Sequence, residues 1–241
     1  MDLMGKSAIV TGGGKGIGRA TVAHLTQLGA HVIAISRTQA DLDALADEYR
    51  CQGIAADLAD PASARAAMAE AGTCDYLINC AGTNVLESVL EMTDAGYDTV
   101  MDINLRATLV CAQEFARSCI AADRGGAIVN VTSIAAHRGF ADHLCYAASK
   151  AGVEGATRVL ARELGPHGIR VVGAAPTVTM TELAAAAWSD PAKSQPMMDR
   201  HPIGRFASAE DVAMAIVMLL SPAAGMVSGS TLAIDGGFLA V

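Results

Sequence analysis

The chain has 241 residues, of which 52% are hydrophobic and 17% charged, a balance that excludes a disordered polymer and suits one large domain with a full core. Its formal net charge of −8 argues against nucleic acid or an anionic membrane surface as a partner. The longest apolar run, 212–220, is far short of the roughly 20 residues that span a bilayer and suits a buried helix, so no membrane association is expected.

In chain order, MDLMGKSAIVTGG leads straight into an apolar strand at 7–10. It has no basic leader, apolar core and cleavage site, so a cytoplasmic protein without a secretory signal is expected. A glycine-rich turn, TGGGKGIG at 11–18, opens a helix at 17–28. Strands at 31–35, 53–56 and 76–78 then alternate with helices at 39–50 and 61–71. A long helix at 97–121, a strand at 127–131, a helix at 144–164 and a strand at 170–174 follow. The rhythm breaks at 178–206, a stretch with three prolines and the lone Trp188, where an α/β domain often grows a substrate lid. A helix at 209–221 and a strand at 231–234 close the chain. This alternation predicts the α/β class: a Rossmann-like, doubly wound parallel sheet with helices on both faces, in a single domain over 1–241. The strands are apolar runs rather than clean alternations, as expected of a sheet covered on both sides. The six cysteines (Cys51, Cys74, Cys80, Cys111, Cys119 and Cys145) form no CxxC pair, and no histidine stands at metal spacing, so reduced thiols and no metal site are expected.

Two stretches carry chemistry. In the turn, Gly12, Gly16 and Gly18 permit a tight bend and close approach of a ligand to the backbone, and the helix that follows offers free N–H groups and a positive dipole end to a pyrophosphate. Coming after a strand and before a helix, the pattern reads as a dinucleotide site rather than a plain packing turn. In the helix at 144–164, Tyr146 and Lys150 stand one turn apart among small residues, which puts phenol and ammonium on one face. The hydroxyls Thr132 and Ser133 lie just past the strand at 127–131, at the strand end where open α/β sheets place ligands. Asn104 falls in mid-helix, where Asn is a poor helix former.

The spacing Gly-x-x-x-Gly-x-Gly with a preceding Thr resembles the short-chain dehydrogenase/reductase family, and the resemblance runs over nearly the whole chain. It implies roles for further positions. Asp57 and Leu58 match the family's adenine contact. Asn79, Cys80, Ala81 and Gly82 match its Asn-Asn-Ala-Gly stretch, with Cys80 replacing the second Asn; Asn79 is expected to be structural, tying strands behind the cofactor. Asn104, Ser133, Tyr146 and Lys150 match its catalytic set, the spacing to Tyr146 selecting Ser133 over Thr132. Pro176, Val178 and Thr181 match its nicotinamide loop, with Ala175 and Thr177 departing from the commoner Asn and Gly. More narrowly, SRTQADLDAL, ELGPHGIRV, PTVTMT, WSDPAK and GSTLAIDGGF resemble the branch of tetrameric carbonyl reductases and dicarbonyl/L-xylulose reductases. A homotetramer is expected on that ground. The segment 134–141 departs from that branch.

The implied activity is reduction of a ketose, α-dicarbonyl or other ketone to an alcohol by hydride from a nicotinamide cofactor. A carbonyl that accepts hydride needs a proton. Tyrosine, with a pKa of roughly 10, is a poor acid/base at neutral pH unless a nearby ammonium favours the phenolate. Lys150 is expected to tune Tyr146 in this way and, by resemblance, to bind the nicotinamide ribose. Ser133 can hold the oxygen as charge develops, and by resemblance Asn104 holds a water that resupplies the proton. His143 and Trp188 are substrate-side candidates, with His137 and Arg138 next to the catalytic serine. The second strand ends at Ser36, Arg37 and Thr38, with no acid until Asp41, so NADP(H) is preferred, with NAD(H) as the alternative. Arg37 meets a 2′-phosphate through paired hydrogen bonds and Lys15 adds a second cation. The same residues fit a polyol or secondary-alcohol dehydrogenase working oxidatively, or a 3-oxoacyl carrier-protein reductase. A regulator that binds NAD(P) without turnover is the remaining rival, and the intact Tyr146–Lys150 pair weighs against it.

Overall fold

The first strand, Ser7–Thr11 (β1), sends Ile9 into one core and Ala8 and Val10 into another, and all three are fully buried. Side chains alternate across a strand, so a strand buried on both faces needs helices above and below it. The structure, a computed structural model, describes residues 3–241 apart from the side chains at 183, 186 and 187. After β1 come α1 (Gly16–Gln27), β2 (His31–Ser36), α2 (Gln39–Tyr49), β3 (Gln52–Ala55), α3 (Pro61–Ala71) and β4 (Tyr76–Asn79). Then follow α4 (Asp94–Met101), a π turn (Asp102–Arg106), α5 (Ala107–Ala121), β5 (Gly126–Val131), a 3-10 turn (Ile134–Ala136), α6 (Leu144–Leu164) and β6 (Ile169–Pro176). The chain closes with β7 (Thr179–Met180), α7 (Glu182–Ala187), α8 (Pro191–Met198), β8 (Ala207–Ser208), α9 (Ala209–Leu220) and β9 (Thr231–Ile234).

The main sheet has seven parallel strands in the order β3-β2-β1-β4-β5-β6-β9. This is the Rossmann-like, doubly wound, single-domain fold expected from the alternation. One core holds Val22 and Leu25 of α1, Leu42 and Leu45 of α2, and Ile216 and Leu219 of α9. The other holds Met68 of α3 and Cys111, Phe115 and Cys119 of α5, with Leu160 and Leu164 of α6 packed against it. Burying one side chain such as Phe115 contributes about 1.5–3 kcal/mol. Strand order reverses between β1 and β4, which opens a crevice above their carboxyl ends.

Two expected elements need correction. The helix expected at 97–121 begins at Asp94, capped by the Thr93 hydroxyl accepting from Gly96 N–H at 3.0 Å, and it is broken by the π turn. That turn carries Asn104. Its carboxamide accepts from Thr83 N–H (2.8 Å) and donates to Thr83 O (2.9 Å) and Ser149 Oγ (3.0 Å). The extra residue in the turn sets this buried side chain between the loop that follows β4 and α6, a use typical of π turns. The segment 178–206, expected to be irregular, holds two short helices and the strand β7, which pairs with β8 just beyond it, Thr179 with Ala207 and Met180 with Ser208. Pro191 starts α8 behind its Asp190 cap, where a missing N–H costs nothing, so it punctuates the segment rather than disordering it.

Candidate active site

Thr11 ends β1, and its hydroxyl is shared out. Oγ1 accepts from Cys80 N–H and Ala81 N–H, each at 3.1 Å, and donates to Ile78 O at 3.4 Å. The 79–82 turn is thereby drawn against the glycine turn. Gly12 has φ +67°, and a Cβ there would stand 2.8 Å from Ala81 Cα; at Gly18 it would overlap the Gly12 carbonyl. No side chain caps α1, so its first-turn N–H groups and dipole remain for an anion. Ile17 is partly buried beneath the turn, and Thr181 reaches within 3.0 Å of where a Gly16 Cβ would be. A cleft of about 570 Å³ lined by Gly14, Lys15, Gly16, Asp41 and Thr181 runs alongside. The glycine cradle and the uncapped helix fit a dinucleotide pyrophosphate.

At the far end of this cradle the structure alters the charge balance read from the sequence. Arg37 and Thr38 are exposed beyond Ser36, as expected. Lys15, however, is not a free cation: its Nζ lies 3.3 Å from Asp41 Oδ2. A Cβ on Gly14 would stand 2.9 Å from Ser36 Oγ and 3.1 Å from Asp41 Cβ. The acid five positions along the chain therefore returns beside the end of β2, because α2 begins there. Asp57 turns its carboxylate to Ala59 N–H (3.0 Å) and Leu58 is buried after β3.

Asn79 lies behind the cradle. Its Nδ2 donates to Asn130 Oδ1 and Asn130 Nδ2 donates to Thr157 Oγ1, both at 2.9 Å, so β4, β5 and α6 are tied in series. Its Oδ1 is buried without a hydrogen-bond partner among the described residues. Cys80 is inert, its thiol pushed up to about 12 by burial. Gly82 faces the catalytic candidates: a Cβ there would stand 3.3 Å from Asn104 Oδ1 and 3.4 Å from Lys150 Nζ.

The helix α6 spans 144–164 as expected and brings Tyr146 and Lys150 onto one face. Lys150 is buried; Nζ donates to Val131 O at 2.9 Å and lies 5.7 Å from the centre of the Tyr146 ring. Burial lowers its pKa to about 8. Burial also raises the Tyr146 phenol, and a hydrogen bond with Ser133 opposes that rise. In the chain alone burial is the largest influence on the phenol, and the Lys150 ammonium, 5.7 Å from the ring centre, makes its hydrogen bond to β5. Ser133 Oγ accepts from Ala135 N–H at 3.1 Å, which leaves its proton for an oxygen in the cleft. Asn104, Ser133, Tyr146 and Lys150 thus meet at the carboxyl ends of β4 and β5.

Of the substrate-side candidates, His143 caps α6 with its ring 6.0 Å from Tyr146, edge-on. Its Nδ1 donates to Ala141 O at 2.6 Å, since a carbonyl can only accept. Trp188 packs edge-on against Phe206 at 5.5 Å under the Lys193 ammonium, so its shown contacts lie within 178–206. Pro176 ends β6; Thr177 N–H bonds Ile234 O at 3.1 Å, and Val178 O accepts from Ala207 N–H at 3.1 Å. His137 is exposed but paired: Nε2 lies 2.9 Å from Glu154 Oε1. Glu154, Asp41 and His201 were missed in the sequence. Glu154 carried a signal, standing four residues past Lys150 and eight past Tyr146 on the same helical face. Among the described residues, no cluster of His, Cys, Asp and Glu could hold a metal ion, and no helix is long and apolar enough to cross a membrane.

A family model described as enoyl-(acyl carrier protein) reductase matches residues 12–239. The chain is 47% identical to the L-xylulose reductase of Mesocricetus auratus, covering 99% of this chain and 98% of that one. It is 44% identical to the D-erythrulose reductase of Gallus gallus, again over 99% and 98%. A solved structure from Beutenbergia cavernae, described as an NAD(P)-dependent gluconate 5-dehydrogenase with bound NADP at low occupancy, superimposes with a TM-score of 0.94 at 36% identity, covering 100% and 99%. With its seven-stranded sheet, glycine turn and Tyr-x-x-x-Lys helix, the chain belongs to the short-chain dehydrogenase/reductase family. It is an NAD(P)-dependent oxidoreductase of that family.

Proposed function

We propose that this chain reduces the carbonyl of a small ketose or α-dicarbonyl to an alcohol, with NADPH preferred over NADH and Tyr146 as the acid. The observation that carries this is the meeting of Ser133, Tyr146 and Lys150 at the mouth of the glycine cradle, with Lys150 buried and bonded to Val131 O beside the Tyr146 ring. Bound in the cradle, a nicotinamide dinucleotide supplies the hydride. Ser133 donates its free proton to the carbonyl oxygen and holds it as negative charge grows. Tyr146, whose phenol burial raises above its ordinary value, passes its proton to that oxygen. The Lys150 ammonium lies 5.7 Å from the ring and stabilises the phenolate left behind, and Asn104, beside Lys150 across Gly82, anchors the route by which the proton returns. His143 lies against the phenol and receives substrate hydroxyls, and the 178–206 segment with Trp188 closes over them as a lid.

The ketose class is supported by the relatives named for L-xylulose and D-erythrulose. An acyl-carrier-protein substrate fits less well. Arg124 is neutralised by Asp75 at 3.0 Å, and Arg170 is turned inward to the Leu219 and Val227 carbonyls, so the two do not form a basic docking patch. We also propose a cytoplasmic homotetramer: Leu109, Ile120, Leu144 and Val159 of α5 and α6 and Met214 and Met218 of α9 are exposed apolar side chains that a second copy would cover. A panel of C4–C6 ketoses, α-dicarbonyls and polyols, assayed with both cofactors, tests the activity. Highest kcat/KM for a ketose or dicarbonyl with NADPH is expected; turnover confined to polyol oxidation, or to an acetoacetyl thioester added to the panel, contradicts it. A monomer by light scattering at micromolar concentration contradicts the assembly.

A further inference from the structure

Glu154 is a buried carboxylate on α6, 7% exposed, on the side of the helix that faces β5 and the turn beyond it. Its Oε1 accepts from Thr132 Oγ1 at 3.2 Å and lies 2.9 Å from His137 Nε2. Thr132 precedes Ser133, and His137 closes the 3-10 turn that follows it, with its own N–H bonded to Ile134 O at 2.9 Å. One oxygen therefore grips both ends of the short segment that carries the Ser133 hydroxyl. The Thr132 proton is shared with Ala174 O at 3.3 Å, which adds β6 to the same tie. A carboxylate in such a place is costly to bury unless its bonds are met, and here they are met by the two residues that frame Ser133.

We infer that Glu154 is a positioning residue for the carbonyl reduction proposed above: it clamps the 132–137 turn so that Ser133 Oγ faces both Tyr146 and the reacting oxygen. Glu154 touches neither substrate nor cofactor. Its action runs through backbone placement, with Ala135 N–H bonded to Ser133 Oγ as the last link. The inference rests on that functional reading for its kinetic part only. Hydrogen bonds that strengthen as charge develops are sensitive to small displacements, so loosening the clamp lowers kcat rather than raising KM.

The experiment compares wild type with Glu154→Leu, Glu154→Gln and Thr132→Val, reading steady-state kinetics, NADPH affinity and amide hydrogen exchange at Ala135, Ala136 and His137. Glu154→Leu is expected to lower kcat about 10- to 100-fold with KM and NADPH affinity near wild type. Exchange across the turn is expected to speed up. Glu154→Gln keeps an oxygen acceptor for both partners and should restore most of kcat and the slow exchange. Thr132→Val, which removes the grip from the strand side, should reproduce the leucine variant in part and carries the test if that variant does not fold. Unchanged kcat in folded Glu154→Leu, or equal loss in the glutamine and leucine variants, overturns the inference. If wild type reduces no carbonyl, the functional reading fails, and exchange in the cofactor-free protein still decides the clamp: unchanged exchange in Glu154→Leu rejects it.

Discussion

His201 Nε2 accepts a hydrogen bond from Thr177 Oγ1 at 2.6 Å, while its Nδ1 bonds Met197 O at 2.8 Å. A carbonyl can only accept, so Nδ1 carries the proton and the threonine hydroxyl is the donor to Nε2. The ring is 2% exposed and lies between Phe206 (5.5 Å) and Phe238 (5.1 Å). It therefore latches the end of α8 to the residue that follows β6, joining the proposed lid to the proposed nicotinamide loop. His201→Phe keeps a ring for packing and strands the buried Thr177 hydroxyl. A loss of about 1–3 kcal/mol is expected, read as a lower urea midpoint, together with weaker NADPH binding. Wild-type stability and affinity in this variant would show that the latch is idle.

The buried ammonium of Lys150 gives a pH prediction. Its pKa is lowered by burial to about 8; below that pH the group is charged, and above it neutral. If the cation is what holds the cofactor's ribose, NADPH affinity of the free protein is full below pH 8 and falls above it, by up to about tenfold per pH unit, because only the charged fraction binds. Lys150→Arg, which stays charged, should flatten that dependence. Titrating lysine ¹³Cε signals in the cofactor-free protein, with this variant as the assignment, checks the cause. A Lys150 midpoint near the ordinary lysine value contradicts it.

The proposed NADPH preference rests on Arg37, with the Lys15–Asp41 pair near Ser36 modulating it. Arg37→Ala is expected to cost about 1.5–3 kcal/mol of NADPH binding, roughly ten- to a hundredfold, and to leave NADH nearly unchanged. Asp41→Asn removes a negative charge next to Ser36 and frees Lys15 from its 3.3 Å pair, so it should raise the NADPH:NADH ratio of kcat/KM. A wild type that favours NADH, or an Arg37→Ala variant that weakens both cofactors equally, contradicts the assignment.

Most of the sheet was legible because β1, β2, β4, β5 and β6 are short apolar runs cut by glycine turns and helices of the right period. The helix α6 was legible to the residue, with Tyr146 and Lys150 one turn apart. What stayed hidden depends on contacts between distant residues. Nothing in the 97–121 periodicity announces the π turn, which is tied to Asn104 by partners 21 and 45 residues away, Thr83 and Ser149. The pairing of β7 with β8 joins residues 28 apart, so local pattern reads 178–206 as irregular. Asp41 is separated from Ser36 by the start of α2, and only the folded turn brings it beside Gly14. Helical spacing set the proximity of Lys150 to Tyr146 but not where Nζ makes its hydrogen bond, which goes to Val131 O.

The central claim is that Tyr146 delivers the proton to the substrate oxygen. Tyr146→Phe removes one oxygen from a half-buried ring and leaves its packing against His143 in place. The most direct measurement is single-turnover oxidation of bound NADPH, followed by its absorbance, in wild type and Tyr146→Phe with the best ketose from the panel. With NADPH affinity unchanged, a fall in the hydride-transfer rate of at least about 10²- to 10⁴-fold is expected, the usual contribution of a positioned acid. A rate near wild type in a variant that still binds NADPH and ketose would contradict the account.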